Sequence, residues 1–420
     1  MKKTFIFFFL VLYYFNFASG QDIRYVRGMI DTLASPAFHG RGYVANGNRL
    51  AAEYISNKLT HSGMQFFGNG YFQEFTFPIN TFPGKMELRF GEKTLIPATE
   101  FAINCASPGL SGSYAVKILN QKTFKSEKST WEFNNADFTN TVLLIDTGFK
   151  DLRNTKLQSA RALLTISDEP FLWSVAGAED TLNHPKIKVL RSAIPKKYKE
   201  ISFDIMHEFY AKYPTQNICG YIKGSVAPDS FIVFTAHYDH LGEMGQGNIF
   251  PGANDNASGT AMLLDLVRHY SDTVNKPYYS IAFIFFTGEE AGLHGSEYYS
   301  EHPLFPLKQI KLLINLDMVG TGSEGIKVVN GSVFTKEFSL LKTLNDNEKF
   351  IKTVSPRGES SNSDHYYFYK KGVPAIFIYT QGKEYKEYHS IGDKASGLPL
   401  TAYEGLFRLM TTFVKALPGK

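Results

Sequence analysis

Three apolar runs in the second half of the chain each end on an acid or a histidine, and no other feature constrains the fold as strongly. Residues 230–236, 281–286 and 310–316 carry almost no polar side chain, as expected of strands covered on both faces. Helical periodicity alternates with them over 259–270, 294–302, 334–344 and 402–417. Further strands are expected over 325–330 and 375–379. Strands alternating with helices imply an α/β sandwich with a mixed or mostly parallel central sheet. Sheets of this kind place ligands beyond the C-terminal ends of their strands, and that is where the polar residues fall.

The first run leads into His237, Tyr238, Asp239 and His240. His237 can offer a neutral ring nitrogen to a metal, Asp239 is placed to orient it, and His240 is a spare. Next comes Gly252-Ala253-Asn254-Asp255-Asn256-Ala257-Ser258-Gly259. Asn256 and Ser258 can cap the following helix, which leaves Asp255 free to bridge two cations. The second run is followed by Glu289 and Glu290, adjacent carboxylates that are costly beside an apolar strand unless countercharged. One can ligate while the other activates water. The third run meets Asp317, and His389 stands in a loop before Asp393. An isolated histidine or an acidic loop at any one of these places would be an ordinary structural feature; the five together are not. Two imidazoles with carboxylates make a nitrogen and oxygen donor set that favours zinc. Two such ions roughly 3.5–4 Å apart can share and activate a water.

The first half reads differently. Residues 24–65 look helical in two pieces, with 51–59 periodic and Gly63 a stop, and 71–77 alternates as a strand. Short strand candidates follow at 86–90, 113–116, 141–145, 162–166, 186–190 and 201–206, punctuated by Gly and Pro. This is the pattern of a small, mostly β inserted domain over 85–212. It divides the other domain into 21–84 and 213–420. A chain of this size exceeds what one core usually supports, so two domains are expected.

Lys2 and Lys3 precede an apolar run from Phe5 to Phe15, and Ala18-Ser19-Gly20 suits signal peptidase. Residues 1–20 are therefore expected to be a signal peptide, with Gln21 the mature start and the product secreted or periplasmic. No cysteine near residue 20 offers a lipid attachment, and no later run is long enough to span a bilayer, so integral membrane association is not expected. The formal charge of +4 falls to +2 once Lys2 and Lys3 are removed, too near neutral for a nucleic-acid partner. The basic stretch from Lys122 to Lys128 reads as a solvated loop. The chain has two cysteines, Cys105 and Cys219, which excludes a thiolate metal site and permits one disulfide outside the cytoplasm.

With these residues in place, the chain resembles the M28 family of zinc metallopeptidases, the aminopeptidase Y and bacterial leucyl aminopeptidase group. The matching motifs are TAHYDHLG at 235–242, GANDNASG at 252–259, TGEEAGLHGS at 287–296, NLDMVG at 315–320, SDH at 363–365 and YHSIGD at 388–393. Residues 33–77, including Gly40-Arg41-Gly42, are similar to the family's N-terminal portion, and the middle more weakly resembles a protease-associated domain. The resemblance implies a zinc-peptidase α/β/α sandwich and two Zn2+. Asp255 would bridge them, His237 and Asp317 would complete one ion, and Glu290 and His389 the other. Glu289 would be the general base and Asp239 the residue that orients His237. Asp364 would be a supporting residue, and Tyr379, after the last strand, would border the substrate pocket. His294 departs from the family pattern and is expected to be exposed.

The implied activity is release of N-terminal residues from a peptide or protein substrate, with the oligomeric state open. Carboxypeptidase-type or dipeptidase relatives share the metal shell and need a cationic pocket, to which Arg357 could contribute. A glutaminyl cyclase would need one zinc, and a non-catalytic ectodomain would be expected to lose ligands; no expected ligand is missing.

Overall fold

Four parallel strands form the middle of the larger of two main sheets. Their order is Tyr279–Phe286, Ala227–His237, Ile310–Leu316 and Ala375–Gln381. The computed structural model describes residues 21–417 except 124, 147–154, 171 and 178–180. The expected leader, 1–20, lies outside the described residues. The second of these strands is buried from Phe231 to its end and the first from Ser280 to its end. Burial on both faces explains why the sequence runs apolar instead of alternating.

Antiparallel strands complete both flanks. Glu208–Ile222 pairs with Tyr279–Phe286, and Gln65–Phe66 and Phe72–Thr81 pair with Glu208–Ile222. On the other side Gly325–Val329 lies antiparallel to Ala375–Gln381 and parallel to Val354–Pro356. The result is a mixed nine-stranded sheet. Helices Ile23–Leu33, Gly47–His61, Gly259–Ser271, Thr335–Glu348 and Tyr403–Ala416 pack on one face, through Val26, Ile55, Leu263, Leu341 and Met410. Helices His294–Glu301 and His365–Lys370 cover the other, through Tyr299 and Phe368. This is an α/β/α sandwich. Asp22 caps the first helix, accepting from the N–H groups of Arg24 and Tyr25.

The second sheet is built from strands between Met86 and Ile205. Its eight strands run in the order Lys93–Thr94, Met86–Phe90, Glu200–Ile205, Leu110–Leu119, Thr141–Ile145, Ala162–Ser167, Lys186–Leu190, Phe101–Ile103. One helix, Glu127–Asn135, accompanies them, capped by Ser126. The core of this smaller, mostly β unit is continuous with Tyr43, Phe77, Leu241, Met244, Phe250 and Ala291 of the larger one.

The structure departs from the sequence reading in several places, the short strands Phe101–Ile103 and Val354–Pro356 among them. Glu208–Ile222 is one long strand that crosses the expected junction at 212/213; a register slip between Tyr210 and Tyr213 breaks its alternation. Helices Glu127–Asn135 and His365–Lys370 were not expected. Cys105 and Cys219 are free thiols, so the permitted disulfide is absent: Cys219 is sealed within the sheet against Phe231, Val233 and Tyr299. Among the described residues no helix is long and apolar enough to cross a membrane.

Candidate metal centre

Register is what assembles the site. His237 lies opposite Phe286 and Leu316 opposite Ile378 in the parallel ladders. The residues just beyond these strand ends, Glu289, Glu290 and Asp317, therefore emerge along one edge with His237. The loop before helix Gly259–Ser271 adds Asp255, and the loop after Ala375–Gln381 adds His389.

Hydrogen bonds fix the loops relative to one another. Asn254 Oδ1 accepts from Gly320 N at 2.9 Å, and Asn256 Oδ1 accepts from Gly259 N at 2.9 Å and Met318 N at 3.2 Å. Ser258 Oγ accepts from Val319 N at 3.0 Å. The loops of Asp255 and Asp317 are thereby tied together. Gly252, at φ +60°, has no room for a side chain: a Cβ would lie 2.3 Å from the Asp255 carbonyl and 2.4 Å from the His240 ring. Asp393 accepts from Asn254 N at 2.9 Å and Asp255 N at 3.1 Å.

Asp255 divides its two oxygens between two histidines. Oδ1 lies 3.3 Å from His237 Nε2, which is also 3.4 Å from Asp317 Oδ1. Oδ2 lies 3.2 Å from His389 Nε2, itself 3.1 Å from Glu290 Oε2. Glu289 Oε2 stands off at 3.9 Å from His237 Nε2. Donor atoms of His237, Glu289 and Asp317 lie within 4.8 Å of one another, and so do those of His240, Asp255 and Glu290. His240 is more than a spare, since its Nδ1 holds Glu290 Oε1 at 2.6 Å. His389 lines the adjoining cavity, which places His389 at the front of Glu290 and the sealed His240 behind it.

The protein groups alone do not neutralise this centre. Burial, with Asp317, Asp364 and Glu290 nearby, pushes Glu289 well above the usual carboxyl range against the pull of His237. Burial also opposes charge on His389, but Glu290 and Asp255 still drive it up to about 10. Burial raises Asp364 to about 7, with Asp239 and Asp317 adding and His237 opposing. Glu290 is held at about 2 by His240 and His389 despite its burial and the charge of Asp255. Asp317 Oδ2 accepts from Ser363 Oγ at 2.9 Å, while its buried Oδ1 has no hydrogen-bond partner. An orphaned carboxylate oxygen among crowded acids and imidazoles fits divalent cations, and the nitrogen and oxygen donors fit zinc.

Several expectations are corrected. Nδ1 of His237 meets the Asp239 carbonyl at 3.1 Å, whereas the Asp239 carboxylate is 3.7 Å away. That carboxylate accepts instead from Tyr43 Oη at 2.5 Å, Glu290 N at 3.3 Å and Glu289 N at 3.4 Å. His294 is half-buried and stacks on Phe77 at 4.7 Å, so it is not exposed. Tyr379 lies within strand Ala375–Gln381 instead of after it. It lines a cavity of about 370 Å³ with Asp255, Glu289, Glu290, Asp317 and His389, walled further by Met318, Phe377, Tyr388, Asn362 and Arg357.

Sequence reasoning gave no role to Tyr43, Ser363, Asp393 or Arg41. The Arg41 guanidinium is fully buried and donates to the carbonyls of Leu33, Tyr238, Pro251, Gly252 and Asp255. Flanking glycines admit it: a Cβ on Gly42 would fall 2.3 Å from Gly242 Cα. Trp173, from the smaller unit, donates its main-chain N–H to the His389 carbonyl at 3.2 Å.

Comparison with known proteins finds a likeness over the part of the chain that forms this centre. Residues 217–414 match peptidase family M28. Aminopeptidase YwaD of Bacillus subtilis (strain 168) is 30% identical over 199 residues, 45% of this chain and 42% of the relative. A probable zinc metalloprotease of Pyricularia oryzae is 34% identical over 115 residues, 26% of this chain and 22% of the relative. The chain thus spans less than half the length of these curated relatives. Among solved structures, BSAP, a zinc aminopeptidase from Bacillus subtilis, superposes with a TM-score of 0.68 at 19% identity, covering 94% of each chain. The aminopeptidase from Aneurinibacillus sp. strain AM-1 gives 0.62 at 20%, covering 94% of this chain and 93% of that one. At those identities the likeness is one of fold.

Proposed function

We infer that this chain, whose residues 217–414 match peptidase family M28, is a zinc aminopeptidase that holds two ions. The observation that carries the reading is Asp255, whose two oxygens face two different histidine and carboxylate pairs. His237 and Asp317 would hold one ion with it, and Glu290 and His389 the other. When bound, the ions supply Lewis acidity to the scissile carbonyl and lower the pKa of a water toward neutrality.

The remaining chemistry belongs to the chain. Glu289 lines the cavity and is the acid left without a ligand's place. Its carboxylate takes the proton from the attacking water and delivers it to the leaving amine nitrogen. The N–H groups of Glu289 and Glu290 point to the Asp239 carboxylate, which holds the turn that carries both acids, Glu290 as the residue that would hold an ion and Glu289 as the base. Met318, Phe377, Tyr379 and Tyr388 exclude water around the terminal residue. A cavity of about 370 Å³ suits one or two residues at a chain end, which favours an exopeptidase acting on peptides or exposed protein ends. The smaller β unit acts as a protease-associated-like wall over 85–212. The leader-like residues 1–20 support export to the periplasm or the medium.

A panel of free and N-terminally blocked peptides, assayed after chelation and after zinc is restored, tests the reading. Zinc-dependent cleavage confined to free amino ends is expected. Equal cleavage of N-blocked peptides that needs a free carboxyl end would overturn it.

A further inference from the structure

Arg357 brings a permanent positive charge into a cavity otherwise lined by acids, apolar side chains, rings and the amide of Asn362. It follows strand Val354–Pro356 in a loop held at both main-chain groups. Its N–H donates to Val328 O at 2.8 Å, and its carbonyl accepts from Ser332 N at 3.3 Å. The side chain is exposed, and its Nη1 donates to the Tyr379 hydroxyl at 3.4 Å. Among the described residues no carboxylate pairs with it. Two divalent cations would balance the four carboxylates Asp255, Glu289, Glu290 and Asp317. The charge of Arg357 is then the surplus facing the substrate. A guanidinium with free N–H groups is matched in geometry by the planar carboxylate, which it binds through two parallel hydrogen bonds.

We propose that Arg357, steadied by Tyr379, selects substrates that carry a carboxylate within about one residue of the scissile bond. The proposal rests on the aminopeptidase reading and names its substrate class. The carboxylate is either the side chain of an acidic terminal residue or the free α-carboxylate of a dipeptide. A cavity of about 370 Å³, suited to one or two residues at a chain end, sets that reach.

The experiment compares kcat/KM of the zinc-loaded protein and of Arg357→Met on two matched pairs. One pair is a Glu-initiated and a Gln-initiated peptide amide. The other is a neutral dipeptide with a free carboxylate and the same dipeptide as its amide. In at least one pair the wild-type preference for the carboxylate member is expected to be tenfold or more, falling to near unity in Arg357→Met and partly restored in Arg357→Lys. A single charge-assisted hydrogen bond has that size, about 10-fold or more. The pair that responds identifies the source of the carboxylate. Ratios that stay the same in both pairs overturn the proposal. Calorimetry with Glu289→Gln protein measures the same ratios as affinities, so that failure of the hydrolytic reading is told apart from failure of this one. Equal affinity for both members of each pair there also overturns it.

Discussion

The main-chain carbonyl of Asp239 meets Nδ1 of His237 at 3.1 Å, and the carboxylate of the same residue stands farther off at 3.7 Å. A proton on Nδ1 therefore has an acceptor that no side-chain substitution removes. The carboxylate serves Glu289, Glu290 and Tyr43 instead. Asp239→Asn is expected to lower kcat at least tenfold by loosening the Glu289 turn. Zinc affinity should change by less than the ~10–100-fold typical of losing a ligand's support. Titration against a competing chelator beside kcat checks this. A hundredfold weaker zinc site with unchanged turnover of the loaded protein would show that the carboxylate orients His237 after all.

The neighbouring acids Glu289 and Glu290 should fail differently. Glu289→Gln is expected to lower turnover by roughly 10²–10⁴, the usual range for losing a general base, while two ions stay bound. Glu290→Gln should lose the ion shared with His389. Metal analysis after gel filtration, set against the initial rate, separates the two, and loss of an ion from Glu289→Gln would mean that the roles are exchanged.

Arg41 spends all five N–H groups on five carbonyls from three separate stretches of chain. A lysine has three donors and no fork. Arg41→Lys should cost roughly 2–4 kcal/mol, since at least two buried carbonyls lose a charged donor. Urea unfolding of the metal-free protein measures it. A loss under about 0.5 kcal/mol, the level of an ordinary surface change, would show that the clamp is dispensable.

Stability of the metal-free protein should fall as pH rises from 6 to 9. His389 is raised from 6.5 to about 10, so its stabilising proton is fully bound below pH 6.5 and lost through about 10. Asp364 is raised from 3.8 to about 7; the fold favours its neutral form, and that contribution is lost as pH rises through about 7. Glu290, held at about 2, acts in the opposite sense, but only below its ordinary 4.5. Zinc needs unprotonated ligands, so the rise in Tm on adding zinc should be larger at pH 8 than at pH 6. A chelated protein whose Tm climbs between pH 6 and 9 would contradict these assignments.

How legible the site was depended on who the partners are. His237, Glu289, Glu290 and Asp317 stood out because strands buried on both faces hold few polar or charged residues, so an acid or histidine where a run ends is conspicuous. Asp255 and His389 had meaning only in that company. Arg41 and Trp173 act on main-chain atoms far away in sequence, and a carbonyl oxygen leaves no mark in the order of residues. Strand Glu208–Ile222 was hidden because its bulge shifts the alternation midway. The two cysteines showed that a disulfide was affordable in number, but their number says nothing of distance.

Trp173 gives the smaller β unit a grip on the metal-binding loops. Its main-chain N–H reaches the His389 carbonyl, and its side chain anchors that stretch: the indole Nε1 donates to Ile103 O at 2.8 Å and the ring packs on Phe250 at 4.8 Å. Four residues on, Gly177 N donates to Ala291 O at 2.6 Å, beside Glu290. The two loops fastened in this way carry His389 and Glu290, the pair assigned to one ion. Trp173→Ala should therefore weaken that ion by about tenfold, the lower end of what a ligand's support is worth, and leave the His237 and Asp317 ion nearly unchanged. Trp173→Phe keeps a ring against Phe250 and should lie between the two. Stepwise zinc titration resolves the ions, and unfolding in parallel controls for general loosening. If Trp173→Ala lowers Tm while both zinc affinities hold, the smaller unit is a wall of the cavity and no brace for its ligands.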